Sequence, residues 1–442
     1  MKWAADWMLK AQEGRSLSVD DAARAVALAY GWCDDRLPAR EPAPTLDALD
    51  DLVTKKVVFR TSWRPSATYA CLNYRDEGDH ARMARDYLRT TLAVSAEKMH
   101  HGHADEGSFV SLICDGSVLL HDGGYRERPP DGMYRADVYH NRVVWRNALA
   151  PAGAGFGFLR DDGRYRPARA ERLYWTRLGD AEYARLRVTD DARGVCWDRS
   201  TVFFPRLGCF VVLDSLAALR AGPLTCGQLW WTTDVPRQGA GWFETAVARV
   251  VDWVNPPGQS LVVCLPGADG EAVRSEAARR SFQDEVCLSR TWTGELAAGA
   301  RIGMAAVLWP MKAGDDATAR AQAVSLLPAP DGLCVRLAWE GEERIVGAPH
   351  DLAAGWLAED VRPRYTAESG ARAYGPLSSD AALVYARRKG DAVWAGFING
   401  TFLAYEGRDL YRGRPHGMFQ EDATALPGVP ARFRWTTDEE QA

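Results

Sequence analysis

From Lys55 onward the chain is a succession of short apolar runs broken by turn residues. VVFRTSW, ATYACLNY, SFVSLICDGSVLLHD, RVVW, ARLRV, STVFF, CFVVLDSL, GQLWWTT, SLVVCLP, MAAVLWP, LCVRLAW, AALVYARR and DAVWAGFINGTFLAYEG are rich in β-branched and aromatic residues. Such residues suit a pleated surface buried on at least one side, and Gly, Pro, Asp or Asn separate many of the runs. The Asp-Gly of ICDGSVLL and the Asn-Gly of FINGTFLAY favour two-residue hairpins. Many antiparallel strands with few helices between them predict a mainly β fold, a large antiparallel multi-sheet β-sandwich over 55–442. A sub-boundary is expected near 270–300.

The first 54 residues read differently, as a short helical segment and linker. Trp3, Trp7 and Met8 give a first helix an apolar face, and Ser18 caps an Ala-rich second helix that ends near Gly31. PAREPAP at 38–44 is a Pro-rich linker, with a short helix expected at 45–53. Two further helices are expected inside the β region, HARMARDYLRTTLAVSAEKM at 80–99 and VRSEAARRSFQ at 273–283. No internal repeat is evident.

Composition narrows the function classes. The 442 residues are 47% hydrophobic and 26% charged, as in a globular protein. A net charge of -5 argues against nucleic acid as the main partner. Arginine predominates among the 54 basic residues, which leaves room for a locally basic groove that pairs with carboxylate or sulfate groups. The 17 tryptophans are expected chiefly in packing. Nine cysteines without a Cys-x-x-Cys pair, several inside apolar runs, point to reduced thiols. The opening residues MKWAADWMLKAQEGRS are too polar for a signal peptide, and no apolar run is of membrane-spanning length. The chain as it stands reads as cytoplasmic, or as periplasmic or secreted if an export segment precedes it.

Candidate chemistry is concentrated between 98 and 145, where five of the 8 histidines lie. His101 and His103 share one strand face if the segment is extended, because side chains alternate. Asp122 ends an apolar strand and His140 precedes another. Imidazole and carboxylate are the usual donors to zinc, so His103, Asp122 and His140 are the candidate metal ligands. Asp105 is a fourth ligand or a partner holding an imidazole N–H. His100 and His121 point away from His101 and Asp122.

HGHADEGSF, then LLHDGGY, then YRADVYHNRVV resembles the core signature of the heparinase II/III-like polysaccharide lyases. VVFRTSWRPSATY before it and YARLRVTDDARGVCWDRSTVFFPRLGCFVVLDSL after it follow in that family's order, so the resemblance covers about residues 55–235. It implies a helical toroid followed by a multi-sheet β-sandwich, with an acidic polysaccharide such as a glycosaminoglycan or alginate bound between them. It also implies a structural zinc on His103, Asp122 and His140. His101 would face the substrate, and Tyr134 and Arg135 would line the cleft, with Tyr125 and Tyr139 competing for the tyrosine role. The family reaction is β-elimination at a uronic acid, which needs the carboxylate neutralised, a base for the C5 proton and an acid for the leaving oxygen. His101, Tyr134 and Arg135 are the catalytic candidates, and Tyr125 and Tyr139 the substrate-binding ones.

The family carries much of its catalytic set on the toroid, for which about 50 residues ahead of the sandwich leave room only for the last helices. Two other classes therefore stay open. One is a non-catalytic carbohydrate- or partner-binding sandwich, half of a split lyase that joins a helical-domain chain or a second copy of itself. The other is a cupin-like metal enzyme, with His101, His103, Glu106 and His140 around iron or manganese.

Overall fold

The computed structural model describes residues 49–51, 55–74, 104–122, 136–160, 168–250, 253–267, 271–280, 283–350, 354–355, 364–365 and 370–422. Ala48–Ala442 forms one compact unit. The helices expected within 1–35 and at 80–99 lie outside the described residues.

The fold is mainly β, as the alternation predicts. A five-stranded sheet runs in order β1 (Leu49–Asp51), β2 (Lys56–Arg60), β3 (Thr68–Asn73), β4 (Phe109–Cys114) and β5 (Ser117–His121). A central eight-stranded sheet contains β7 (Arg169–Leu178), β8 (Ala181–Asp190), β9 (Val195–Phe204) and β10 (Cys209–Ala218). It continues through Arg301–Lys312, Gln259–Cys264 and Trp242–Ala246 to an edge strand at Asp234–Gly239. A four-stranded sheet joins β6 (Val143–Arg146) and β11 (Gly222–Thr232) to Gln283–Leu296 and the edge strand Ala272–Arg280. A second eight-stranded sheet, which includes the long strand Arg408–Asp422, is built from 324–422. The pairings are antiparallel throughout.

The central sheet is covered on both faces, and this explains its unbroken apolar runs. Along β10, Phe210 and Val212 enter a core shared with β2 to β4 and β11, whereas Val211 and Leu213 enter a core shared with the C-terminal sheet. Phe203 and Phe210 stack at 4.3 Å, and Phe59 and Phe109 lie 5.9 and 5.8 Å from Phe210. Each such ring is worth roughly 1.5–3 kcal/mol when removed from water. Trp197, Trp230, Trp231 and Trp309 are fully buried, the packing role expected of most tryptophans.

Three local expectations are corrected. The short helix at 45–53 gives way to β1, which pairs with Lys56–Val58. Residues 273–283, read as helical, form most of the strand Ala272–Arg280 and the start of its partner. Charged residues there suit a sheet edge, and pairing to a long neighbour overrides helix propensity. The Asp115-Gly116 dipeptide makes the expected tight hairpin, both residues at positive φ. Asn399 also has positive φ, but the strand Ala392–Tyr405 runs straight through it with an irregular register after Gly400. A flanking strand on each side holds the chain extended there, so the turn signal becomes a bulge. A six-residue helix α1, Ala317–Gln322, capped by Asp316, was not anticipated. The eight described cysteines are free thiols. No described helix is long and apolar enough to cross a membrane.

Candidate functional site

Asp122 follows the last residue of β5, and its backbone N–H donates to Val110 on β4 at 3.1 Å. His140 closes a single 3-10 turn, Asp137–Tyr139, two residues ahead of β6. The two side chains meet: His140 Nδ1 lies 2.9 Å from Asp122 Oδ1, with 1% and 8% of the side chains exposed. Burial alone would lower the His140 pKa, but the charge and hydrogen bond of Asp122 turn the net shift upward, and Asp105 adds to it. Asp122 Oδ1 also accepts the Asn141 N–H at 3.1 Å.

Adjacent ligands of a tetrahedral ion with bonds of about 2.0–2.1 Å stand roughly 3.3 Å apart. At 2.9 Å the buried carboxylate and imidazole have the donor chemistry of co-ligands and stand at hydrogen-bond distance. The third expected ligand, His103, lies outside the described residues, as do His101, Tyr125, Tyr134 and Arg135. Ala104, the chain neighbour of His103, is held: its carbonyl accepts from Arg142 Nη1 at 2.8 Å, two residues past His140. Among the described residues no group of three or more His, Cys, Asp or Glu comes together as a metal site. Asp105 is thus a buried neighbour of His140 and not a third donor in that set.

The segments carrying these groups are tied by charges that sequence reasoning missed. Arg199 on β9 grips Asp214 on β10 in a two-pronged pair at 2.8 and 2.9 Å. Its Nη1 donates to the carbonyls of Gly107 at 2.9 Å and Asn141 at 2.8 Å. Trp197 Nε1 and Gln228 Nε2 complete the shell of Asp214 at 3.0 and 2.6 Å. The Asn141 side chain donates to the Phe109 carbonyl at 3.0 Å and accepts from the Trp231 N–H at 2.8 Å. One fork and one amide therefore lock together the turn before β4, the residue after His140, and β11. The available signal was an Arg and an Asp inside strands buried on both faces, because such charges persist in a core only when paired.

Glu106 donates nothing to the His140 set. Arg142 Nη1 takes its carboxylate at 2.6 Å, and burial pushes that carboxyl up against the pull of the guanidinium. Asp137 is held below the usual carboxylate range: burial opposes this, but the Arg146 guanidinium, at 2.7 and 2.8 Å, prevails. Tyr139 is buried at 1% exposure, its ring 5.7 Å from Trp231, and its hydroxyl accepts from Arg160 Nε at 3.1 Å. It packs in a core with Phe156 and Trp231, and its burial gives no support to the cleft-facing role expected of it.

No protein-family model and no curated protein matches the chain. Among solved structures, a heparan sulfate lyase from Pedobacter heparinus shares its fold with a TM-score of 0.50 at 14% identity, over 79% of this chain and 48% of the other. A heparinase III does so with a TM-score of 0.50 at 15% identity, over 78% and 48%. The chain spans about half the length of each of these structures. At such identities the likeness is one of architecture.

Proposed function

We propose that this chain is a polysaccharide lyase-like β-sandwich that engages an acidic, uronic acid-containing polysaccharide. A structural zinc would be held by Asp122 and His140 together with His103. The observation that carries the reading is the buried Asp122–His140 contact, on two segments pinned by Arg199 and Asn141. The fold neighbours supply the substrate class, since the proteins whose architecture the chain shares are described as a heparan sulfate lyase and a heparinase III.

In this reading the C5 proton leaves to a base, its electron pair forms the C4–C5 double bond, and the C4–oxygen bond breaks as an acid protonates the leaving oxygen. Arg135 would neutralise the uronate carboxylate, and Tyr134 would act as base or acid. His101 would assist the proton transfer. When bound, the metal would supply rigidity to the loops that carry these groups. The test is elemental analysis of the purified chain, joined to absorbance of unsaturated uronate over heparan sulfate, chondroitin, hyaluronan and alginate. About one zinc per chain with product from an acidic polymer supports the reading, and a chain lacking both overturns it.

A second reading is favoured by Tyr139, which is buried and does not face a cleft. The sandwich would then bind acidic polysaccharide without cleaving it, or do so with a helical partner chain. Saturable binding without unsaturated product separates the two.

A further inference from the structure

Away from the His140 site, the edges of two sheets face each other. Asp234–Gly239 is the outermost strand of the central sheet, and Ala272–Arg280 is the outermost strand of the four-stranded sheet. Between them lies an open groove of about 590 Å³, lined by Gln238, Gly239, Gly241, Arg274, Ser275 and Glu276 among others. Its size falls within the range of small-ligand sites, roughly 300–1,000 Å³.

Arg274 is the charged donor of the groove. Several other arginines in this fold are matched to carboxylates, such as Arg199 to Asp214 and Arg185 to Asp198. Arg274 is half-buried, its Nε is shut off from solvent, and it has no hydrogen-bond or ion-pair partner among the described residues. Glu276, two positions along the same face of the strand, is turned to the backbone N–H of Phe156 at 2.7 Å. On the opposite face of the strand from Arg274, the Ser275 hydroxyl donates to Gln238 Oε1 at 3.1 Å. A buried donor without an acceptor is costly unless a ligand supplies one.

We propose that this groove is a subsite for an acidic sugar, with Arg274 receiving its carboxylate or sulfate. The planar guanidinium matches either oxyanion in two-pronged fashion, and the open sides of the groove let a polymer run through. This inference rests on the reading above that acidic sugars are the ligands.

The test is calorimetric titration of the full chain with a heparan sulfate hexasaccharide, its desulfated form and a neutral hexasaccharide. The wild-type protein should bind the first and not the neutral sugar. Arg274→Gln should weaken binding about tenfold or more, and Arg274→Lys less. Melting should stay within about 2 °C, since the side chain has no internal partner. Retained affinity for the desulfated sugar assigns the carboxylate, and its loss assigns the sulfate. Arg274→Gln binding as tightly as wild type, no binding of any acidic sugar, or equal binding of the neutral one overturns the proposal. Unsaturated uronate is followed in the same samples. Arg274-dependent binding without product removes the lyase reading and leaves the groove standing.

Discussion

The guanidinium of Arg199 holds the Asp214 carboxylate through Nε and Nη2 while its Nη1 bridges the carbonyls of Gly107 and Asn141. A side chain from the central sheet thus sets the separation between the segment that follows His103 and the segment that follows His140. Both partners are buried, at 1% and 2% exposure. Such a pair contributes more to geometry than to net stability, because the attraction is largely cancelled by the cost of dehydrating two ions.

Removing one partner should therefore be severe. Arg199→Met leaves Asp214 charged and buried, and is expected to cost roughly 3–5 kcal/mol in urea unfolding. The double variant Arg199→Met with Asp214→Leu should recover much of that stability but not the metal affinity, which should stay about 10–100-fold weaker because the carbonyls lose their anchor. Equal metal affinity in the double variant would sink the anchoring role.

For the Asp122–His140 pair, Asp122→Asn and His140→Ala should each lower bound zinc from about one per chain toward zero. A chelator should reduce the melting temperature of the wild-type protein and leave that of His140→Ala unmoved, because a ligand bound only to the folded state stabilises it. A wild-type melting curve indifferent to the chelator would count against the site.

Asp198 supplies a pH dependence. Burial disfavours its charge, but Arg185 and Arg187, at 2.7 and 2.6 Å, hold its carboxyl below the usual range. With the folded pKa below the unfolded value of about 3.9, its contribution is present at neutral pH and is lost as pH falls from there through the folded pKa. Asp198→Asn should be destabilised by roughly 3–5 kcal/mol at pH 7. The gap to wild type should close below about pH 4, as read from denaturant midpoints across pH. A gap constant with pH would contradict the assignment.

Gly107 is a fourth target. Its φ is +73°, and a Cβ would stand 2.6 Å from the Trp197 ring. Gly107→Ala combines backbone strain with a clash in a packed core, for an expected loss of about 1–3 kcal/mol or more. A change in near-ultraviolet circular dichroism from Trp197 should accompany it, and an unperturbed spectrum with unchanged stability would refute this account.

How much of this was legible in the chain depends on the range of the interaction. β2 to β6 and β8 to β11 fall on apolar runs visible in the residues, β7 does not, and the Asp115-Gly116 hairpin closes where its dipeptide predicts. Asn399-Gly400 carries the same signal and makes no hairpin, because strands on both sides hold it extended. Residues 273–280 have helical residue types and form a strand, because Gln283–Leu296 lies beside them with unpaired backbone groups. The Asp122–His140 pair was anticipated from residue chemistry at strand ends. Arg199–Asp214 and the unmatched Arg274 were not, because an arginine in a list of residues gives no sign of what it faces.

Most of the strand pattern and the Asp115-Gly116 turn are properties of neighbours along the chain, and the residues determined them unaided. Which carboxylate each guanidinium meets, which sheet faces are doubly covered and which sheet edges border a groove were decided by tertiary structure. These depend on contacts between positions tens to hundreds of residues apart, such as Arg185 with Pro349. Their energies exist only once the sheets are stacked and water has been excluded from between them.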